Sequence, residues 1–181
     1  AFTMSVKTNK KPFSVSMPRK PEGAEWSPAF EYITEIRYQA DGRGILDPAF
    51  THIFVVPADG GTARQLTSGN YHHNGSLSWA PNSEALYFSA NRSDDWEYQT
   101  RESDIYRVSL AGELEQITDE PGVETSPVVS PNGRLIAYGK NDNQKLAYRN
   151  RLLHVMNLDG DNDRALSADI DNSLSNIQWD D

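Results

Sequence analysis

The chain has 181 residues, a formal net charge of −9 and no cysteine. The acidic balance argues against a nucleic-acid interface, which needs clustered lysine and arginine. The lack of cysteine excludes disulfides and thiolate zinc sites, and it fits the cytoplasm and the periplasm equally well. No apolar run reaches the ~18 residues of a membrane-spanning helix, so we expect no membrane segment.

The first fifty residues predict strands separated by a polar, proline-rich linker. Phe2–Val6 alternates like a strand already under way, and Phe13–Met17 and Ile33–Tyr38 also have strand character. The segment Pro18–Phe30 between the last two is rich in proline and charge. We therefore expect this part of the chain to be less regular than the rest.

From about residue 50 onward, one sequence pattern recurs at a period of about 50 residues. Trp79-Ala80-Pro81-Asn82-Ser83 returns as Val129-Ser130-Pro131-Asn132-Gly133, and Trp179-Asp180-Asp181 begins a third copy. An apolar strand follows each of the first two copies, at Leu86–Phe88 and Ile136–Tyr138. Proline, asparagine and glycine at these positions predict a tight turn before that strand.

Each unit then continues with a further strand, a glycine turn and a short last strand. The further strands are Ile53–Val56, Ile105–Val108 and Leu153–Met156. Their turns contain Gly60, Gly112 and Gly160, and the short strands end at Leu66-Thr67, Ile117-Thr118 and Leu166-Ser167. Glycine at these places is typical of hairpins.

Four short strands per unit at this period predict an all-β fold, a β-propeller fragment of about three to four four-stranded antiparallel blades. We assign 1–67 to incomplete or irregular N-terminal blade structure, 68–118 and 119–167 to blades, and 168–181 to the first strand of a further blade. Closed propellers have ~4–8 blades, so we expect the chain to be a segment of a longer protein.

Period-2 alternation also predicts which side chains form the core between blades. The predicted core residues are Leu77, Trp79, Tyr87, Ile105, Val108, Val128, Leu135, Ala137, Leu153 and Val155.

The long connections 91–103 and 140–151 join the second and third strands of two units, and both are polar and charged. Alternate loops of a meander emerge at alternate ends, so we expect these loops to share one face of the propeller. The most unusual segment lies in the first of them: Asp94, Asp95, Trp96, Glu97 and Tyr98. This segment is either a contact site for a partner or a cationic peptide group, or a loop folded onto its own aromatic anchors.

No arrangement of residues predicts catalysis by this chain. A serine hydrolase needs an exposed nucleophile on a sharp turn, and the nearest pattern, Asn74-Gly75-Ser76-Leu77-Ser78, lacks the closing glycine. His52 and His154 lie in strand patterns as surface or packing residues. The adjacent His72 and His73 are expected to point apart in extended backbone.

Asp159-Gly160-Asp161-Asn162-Asp163 begins like a calcium loop, but Arg164 and Ile170 stand where such a loop needs glycine and glutamate. We read it as an ordinary hairpin turn. We therefore assign no catalytic, cofactor-binding or metal-binding residue and expect no cofactor.

The motifs Ser78-Trp79-Ala80-Pro81-Asn82-Ser83 and Val129-Ser130-Pro131-Asn132-Gly133 resemble the repeat of TolB-like, WD-type propellers, over residues 76–181. A narrower resemblance lies upstream, in Tyr38–Gly44, His52–Gly61 and Gln65-Leu66-Thr67. These segments are similar to the propeller of acylaminoacyl-peptidase-like members of the prolyl oligopeptidase family.

The second resemblance implies a non-catalytic propeller that gates substrate access in a serine peptidase. Its implied partners are an α/β-hydrolase domain and further blades, none of which is in this chain, and peptides or small acylated substrates. The resemblance provides no catalytic residue at any position here. The alternative is a TolB-like periplasmic propeller that binds proteins without enzymatic activity. Uncovered blade faces and strand edges further lead us to expect self-association of the segment.

Overall fold

The structure is a computed structural model that describes residues 1–8, 16, 18–25, 27, 32–144, 146 and 148–180. Throughout these residues the regular secondary structure is β-strand, and no helix occurs that is long and apolar enough to cross a membrane. The chain divides into two compact units. One consists of Ala1–Val6 with Phe50–Asp181, and the other of Lys7–Ala49.

Two four-stranded antiparallel sheets confirm the predicted blades. The second blade consists, in order, of β6 (Ser78–Trp79), β7 (Ala85–Ala90), β8 (Asp104–Ser109) and β9 (Leu114–Gln116). The third blade consists, in order, of β10 (Gly122–Val129), β11 (Leu135–Asp142), β12 (Leu152–Asn157) and β13 (Arg164–Ala165). Each is a meander in which neighbours in sequence are neighbours in the sheet, the arrangement of a propeller blade.

The first blade is a three-stranded sheet in the order β1 (Phe2–Lys7), β4 (Ala49–Val55) and β5 (Arg64–Gln65). By this order β1 occupies the place next to β4 that β7 and β11 occupy in their own blades. The connection from β1 to β4 is much longer than its counterparts and carries most of the second compact unit.

That connection contains one small hairpin among its described residues, β2 (Gln39–Ala40) paired with β3 (Gly44–Ile45). The strand predicted at 33–38 is wrong, because this segment forms no strand and belongs to no sheet among the described residues, and Ile33 and Ile36 are exposed. The predicted strand 13–17 lies outside the described residues apart from residue 16, and so does part of the predicted linker 18–30.

The recurring Thr or Ser after each short last strand has the same structural role in all three blades. Its hydroxyl accepts a hydrogen bond from a backbone N–H of the neighbouring strand, which is β4, β8 or β12. The bonds run from Ile53 to Thr67 at 2.9 Å, from Ile105 to Thr118 at 2.9 Å, and from Leu153 to Ser167 at 2.8 Å. The motif recurs because each of these buried amides needs an acceptor where the last strand ends.

The recurring Pro-Asn turn is also explained by local hydrogen bonds. The N–H of Gly133 donates to the carbonyl of Ser130 at 2.8 Å, and the side chain of Asn132 accepts from the N–H of Arg134 at 3.0 Å. Gly133 has φ 68°, which costs glycine nothing, whereas Ser83 adopts φ 58° at the same place in the second blade.

Two apolar cores lie between successive blades, one on each face of the second blade. Strand β7 is buried at all six positions because its alternate side chains enter different cores. Leu86, Phe88 and Tyr106 pack toward Ile53 of the first blade. Tyr87 and Ile105 pack with side chains of the third blade: Val129, Ile136, Tyr138 and Met156.

The predicted core is correct for half of its members. Tyr87, Ile105, Val108, Ala137 and Val155 are buried. Leu77, Val128, Leu135 and Leu153 are half-buried. The prediction for Trp79 is wrong, because its side chain is 41 % exposed. Trp79 lies on the edge strand β6 and borders an open apolar cleft together with Pro131 and Trp179.

The start of the third copy lies beside the third blade. Residues 168–180 contain no strand, but the indole N–H of Trp179 donates to the carbonyl of Val128 at 2.8 Å. One repeat earlier, the hydroxyl of Ser78 accepts from the N–H of Val129 at 3.0 Å. The assignment of 168–181 to a further blade stays a prediction, as do the other domain boundaries.

Candidate functional site

The candidate site is built from the two long loops, 91–103 between β7 and β8 and 143–151 between β11 and β12. The first is a folded loop organised by Asn91. The side-chain oxygen of Asn91 accepts from the N–H and the hydroxyl of Ser93, at 3.2 and 2.7 Å. Its side-chain amide donates to the carbonyl of Gln99 at 2.6 Å. These bonds tie the two sides of the loop together and set residues 94–98 at its tip.

The five predicted contact residues have different surroundings in this loop. The ring of Trp96 meets Phe50 edge-on at a centroid distance of 5.9 Å and His72 at 5.4 Å, so it anchors the loop. The side chain of Tyr98, two residues later, is 77 % exposed. The aromatic pair therefore has one member that packs inward and one that is available to a partner.

The acidic members of the segment also differ in their surroundings. Asp94 and Asp95 are exposed, and the carboxylate of Asp95 accepts a hydrogen bond from the side-chain amide of Gln99 at 3.0 Å. Glu97 is half-buried. Asp94 and Tyr98 are consequently the most accessible residues of the predicted set.

Two of the histidines lie in the core rather than at a catalytic surface. The rings of His52 and His73 are buried with centroids 5.2 Å apart. Nε2 of His73 lies 2.5 Å from the Arg92 guanidinium, and its Nδ1 lies 3.2 Å from the carbonyl oxygen of Thr51. Because arginine only donates, Nε2 accepts, and the proton is on Nδ1.

Burial, together with the charge of Arg92, lowers the pKa of His73 to about 4. The imidazole is therefore neutral at physiological pH with both nitrogens engaged, which suits a structural role and not a general base. Arg92 also stacks over the ring of Tyr71, with the guanidinium carbon 4.5 Å from the centroid. Within the described part of the chain, no group of three His, Asp or Glu side chains could hold a metal ion.

Glu102 joins the first long loop to the third blade. One carboxylate oxygen accepts from the N–H of Gly122 at 2.9 Å, and the other accepts from the side chain of Asn143 at 3.0 Å. Ser103 adds backbone hydrogen bonds to the same strand, at 3.0 Å to Gly122 and 2.9 Å to Glu124. These bonds join the first long loop to the third blade and to Asn143, at the start of the second long loop.

The carboxyl of Asp104, the residue that follows Ser103, is half-buried. Burial, followed by the negative charges of Glu124, Asp119 and Glu102, raises the pKa of Asp104 to about 7. Two of those charges belong to residues remote in sequence, so the shift arises only when the blades pack together.

The second long loop borders a cleft whose floor contains a cluster of charges. Nζ of Lys140 lies 2.6 Å from Glu120, 3.0 Å from Glu124 and 3.4 Å from Asp163. Nδ1 of His154 lies 2.9 Å from the Asp163 carboxylate. Burial acts to lower the pKa of Lys140, but its hydrogen bonds to Glu120 and Glu124 outweigh burial and hold that pKa above its ordinary value.

Each long loop therefore borders a cleft with an exposed tyrosine. The larger cleft has a volume of about 680 Å³ and includes Tyr148, whose side chain is 79 % exposed. The smaller has a volume of about 350 Å³ and includes Tyr98, Arg101 and Asn143. Sequence reasoning overlooked Tyr148, although Tyr98 and Tyr148 are one repeat apart and that spacing is visible in the sequence.

Repeated antiparallel meander sheets that pack on one another, with long loops between their second and third strands, define this molecule as a β-propeller segment. The sequence matches the family model of the dipeptidyl peptidase IV N-terminal region over residues 9–145. The chain belongs to that family. This confirms the expected relation to propellers of prolyl-oligopeptidase-family peptidases.

Solved structures agree on the fold. A protein assigned as TolB from Agrobacterium tumefaciens superimposes with a TM-score of 0.54 and 25 % identity, over 64 % of this chain and 40 % of that one. TolB from Acinetobacter baumannii gives a TM-score of 0.52 and 19 % identity, over 66 % of this chain and 27 % of that one. The chain thus spans well under half the length of either protein. No curated protein matches it.

Proposed function

We propose that this chain is the non-catalytic propeller segment of a serine peptidase and that it shapes the access of substrates to a hydrolase domain elsewhere in the protein. The observation that carries the proposal is membership of the dipeptidyl peptidase IV N-terminal region family, over residues 9–145. The long loops and the clefts beside them support it, since binding and selection reside on loops positioned by a rigid scaffold.

The substrates proposed are peptides and small acylated peptides, as in acylaminoacyl-peptidase-like enzymes. Asp94, Asp95, Trp96, Glu97 and Tyr98 are the proposed contact segment. In the geometry described above, Tyr98 and Asp94 would make the contact, and Trp96 would hold the loop in place.

The experiment uses the full gene product that contains this chain. A serine-directed fluorophosphonate probe should label that protein and leave the 181-residue chain unlabelled. Replacing residues 94–98 by a short glycine-serine turn should raise KM for oligopeptides and leave turnover of a small chromogenic ester unchanged. An unlabelled full-length protein contradicts the proposal, and so does an equal effect of the loop replacement on both substrates.

A second candidate is a protein-binding propeller without enzymatic activity, which the structural likeness to the two TolB proteins supports. It predicts that the coding sequence continues with blades alone and that the complete protein resists the fluorophosphonate probe. Retention of one defined protein on the complete propeller, lost when the long loops are shortened, would favour this candidate over the peptidase.

A further inference from the structure

We propose that the larger cleft, next to Tyr148 in the third blade, binds the side chain of an arginine or lysine of a peptide. The peptide character of the ligand rests on the proposed function. The preference for a basic side chain rests on the charges, the apolar wall and the exposed ring of the cleft itself.

The cleft is negative in spite of the lysine in its floor. Three carboxylates surround the ammonium of Lys140, within 2.6 to 3.4 Å, so the cluster has an excess of negative charge. The second cation of the cleft, Arg149, lies 3.2 Å from the carboxylate of Asp142. Both positive groups are thus already paired, and neither is left to attract an anion.

Two further carboxylates, those of Asp169 and Asp171, line the same cleft. Asp169 is exposed, and among the described residues no hydrogen-bond or ion-pair partner contacts its carboxylate. Asp171 accepts one hydrogen bond, from the side chain of Asn150 at 2.9 Å. A guanidinium or ammonium entering the cleft meets acceptors with free lone pairs there.

The remaining wall suits the aliphatic part of a long basic side chain. Leu152, Ile170 and Pro121 contribute apolar surface beside these carboxylates, and Ile170 is 47 % exposed. Arginine and lysine place their methylene stems along such surface while the charged end reaches polar groups. A small inorganic cation would leave this wall uncovered.

Tyr148 completes the site at the mouth of the cleft. Its ring is 79 % exposed, so no core packing accounts for an aromatic residue at this position. A cation over an exposed aromatic ring gains about 0.5–1 kcal/mol. A volume of about 680 Å³ holds a basic side chain together with part of the backbone on either side of it.

The test measures binding of fluorescently labelled heptapeptides, blocked at both termini, to the 181-residue chain by anisotropy. The peptides differ only at the central residue, which is arginine, lysine, citrulline or glutamate. Citrulline keeps the shape of arginine without its charge. We expect the arginine and lysine peptides to bind at least tenfold more tightly than the citrulline and glutamate peptides.

Variants then locate the site. Removing one charge-assisted acceptor in Asp169→Asn should weaken arginine-peptide binding about three- to tenfold. Tyr148→Ala should weaken it about two- to fivefold, and Tyr148→Phe should restore it. Asp59→Asn, which removes an exposed carboxylate outside both the cleft and residues 94–98, is the matched control and should bind like the unmodified chain.

Thermal melts of each variant establish that the fold is retained. Equal affinity for the arginine and citrulline peptides overturns the proposal, as does equal binding by Asp169→Asn and Asp59→Asn. These outcomes leave the proposed function untouched, because that function is decided by active-site labelling of the full gene product.

Discussion

The ammonium of Lys140 lies 3.0 Å from a carboxylate oxygen of Glu124, whose side chain has no solvent exposure. The pair joins the first two strands of the third blade beneath the larger cleft, because Lys140 and Glu124 are directly opposite in the pairing of β10 with β11. Its disruption is therefore the most direct test of how the blade supports that cleft.

We expect Lys140→Met to lower the free energy of unfolding by about 3–5 kcal/mol, because it leaves a buried carboxylate without its cation. The control is Glu120→Gln, which removes a partner of the same ammonium that is 71 % exposed and should cost about 1 kcal/mol or less. Urea unfolding followed by tryptophan fluorescence measures both. Equal losses of unfolding free energy in the two variants would show that the buried carboxylate of Glu124 is not stabilised by Lys140.

Acid should destabilise the chain through His73. Its pKa is lowered from 6.5 to about 4 in the folded state, so the unfolded chain binds a proton first as the pH falls. The stability that the neutral ring contributes is present above pH 6.5 and is lost as the pH falls toward 4. We expect a loss of about 2–3 kcal/mol across that window.

His73→Gln removes this titration while keeping an acceptor for Arg92, so its unfolding free energy should depend less on pH between 6.5 and 4. Urea titrations at four pH values in that window test this. The same slope in both proteins would assign the acid sensitivity to other groups, such as His52, whose pKa is also lowered, chiefly by burial.

Asp104 should have the opposite effect on the pH dependence of stability, because it destabilises the chain as the pH rises. Its pKa is raised from 3.8 to about 7, so its contribution to stability is present below pH 3.8 and is lost as the pH rises through 7. Asp104→Asn should therefore stabilise the chain above pH 7, by about 1–2 kcal/mol once solvent contact is allowed for.

The gain from Asp104→Asn should be smaller at pH 5 than at pH 8, and it should disappear below pH 4, where the aspartate is protonated in both states. Melting temperatures of the two proteins at pH 5 and pH 8 measure the difference. A variant that is less stable than the parent at pH 8 would contradict the prediction.

Close approach between blades should make one turn glycine more sensitive than another with nearly the same backbone. An added Cβ at Gly160, where φ is 91°, would lie 2.5 Å from the carbonyl oxygen of Ile117. At Gly60, where φ is 97°, it would meet nothing within 4 Å. Gly60→Ala should cost about 1–2 kcal/mol from backbone strain alone, and Gly160→Ala clearly more.

Chemical unfolding of both alanine variants gives the comparison directly. Equal losses of unfolding free energy at the two positions would contradict the prediction. They would mean that the third-blade turn can move away from the second blade at no energetic cost.

Self-association of the chain remains a proposal, and strand β1 offers a place for it. It is an edge strand of the first blade, and its side chains Phe2 and Met4 are 37 % and 47 % exposed. We expect species larger than 20.3 kDa in light scattering after size exclusion, and fewer of them in Met4→Lys, because a charge on an edge strand opposes pairing. A monodisperse monomer of the unmodified chain would refute the proposal.

Much of the blade architecture could be predicted because its signals are local. A turn asparagine, a hairpin glycine and a hydroxyl such as Thr118 act within a few residues or within one pair of strands, so each leaves a mark at a fixed spacing. The strand predicted at 33–38 failed for the same reason: alternation shows that a segment can pair, not that a partner strand lies beside it.

The sequence by itself determined that this protein is a set of propeller blades, because the period and the local hydrogen-bonding residues repeat. Only the tertiary structure decided that Trp96 packs inward while Tyr98 stays exposed. It likewise decided that Lys140 is surrounded by carboxylates from two parts of the chain, Glu120 with Glu124 and Asp163. Such groupings depend on strand register, on turn conformation and on the packing of side chains from different elements, which bring together residues whose separation along the chain follows no simple rule.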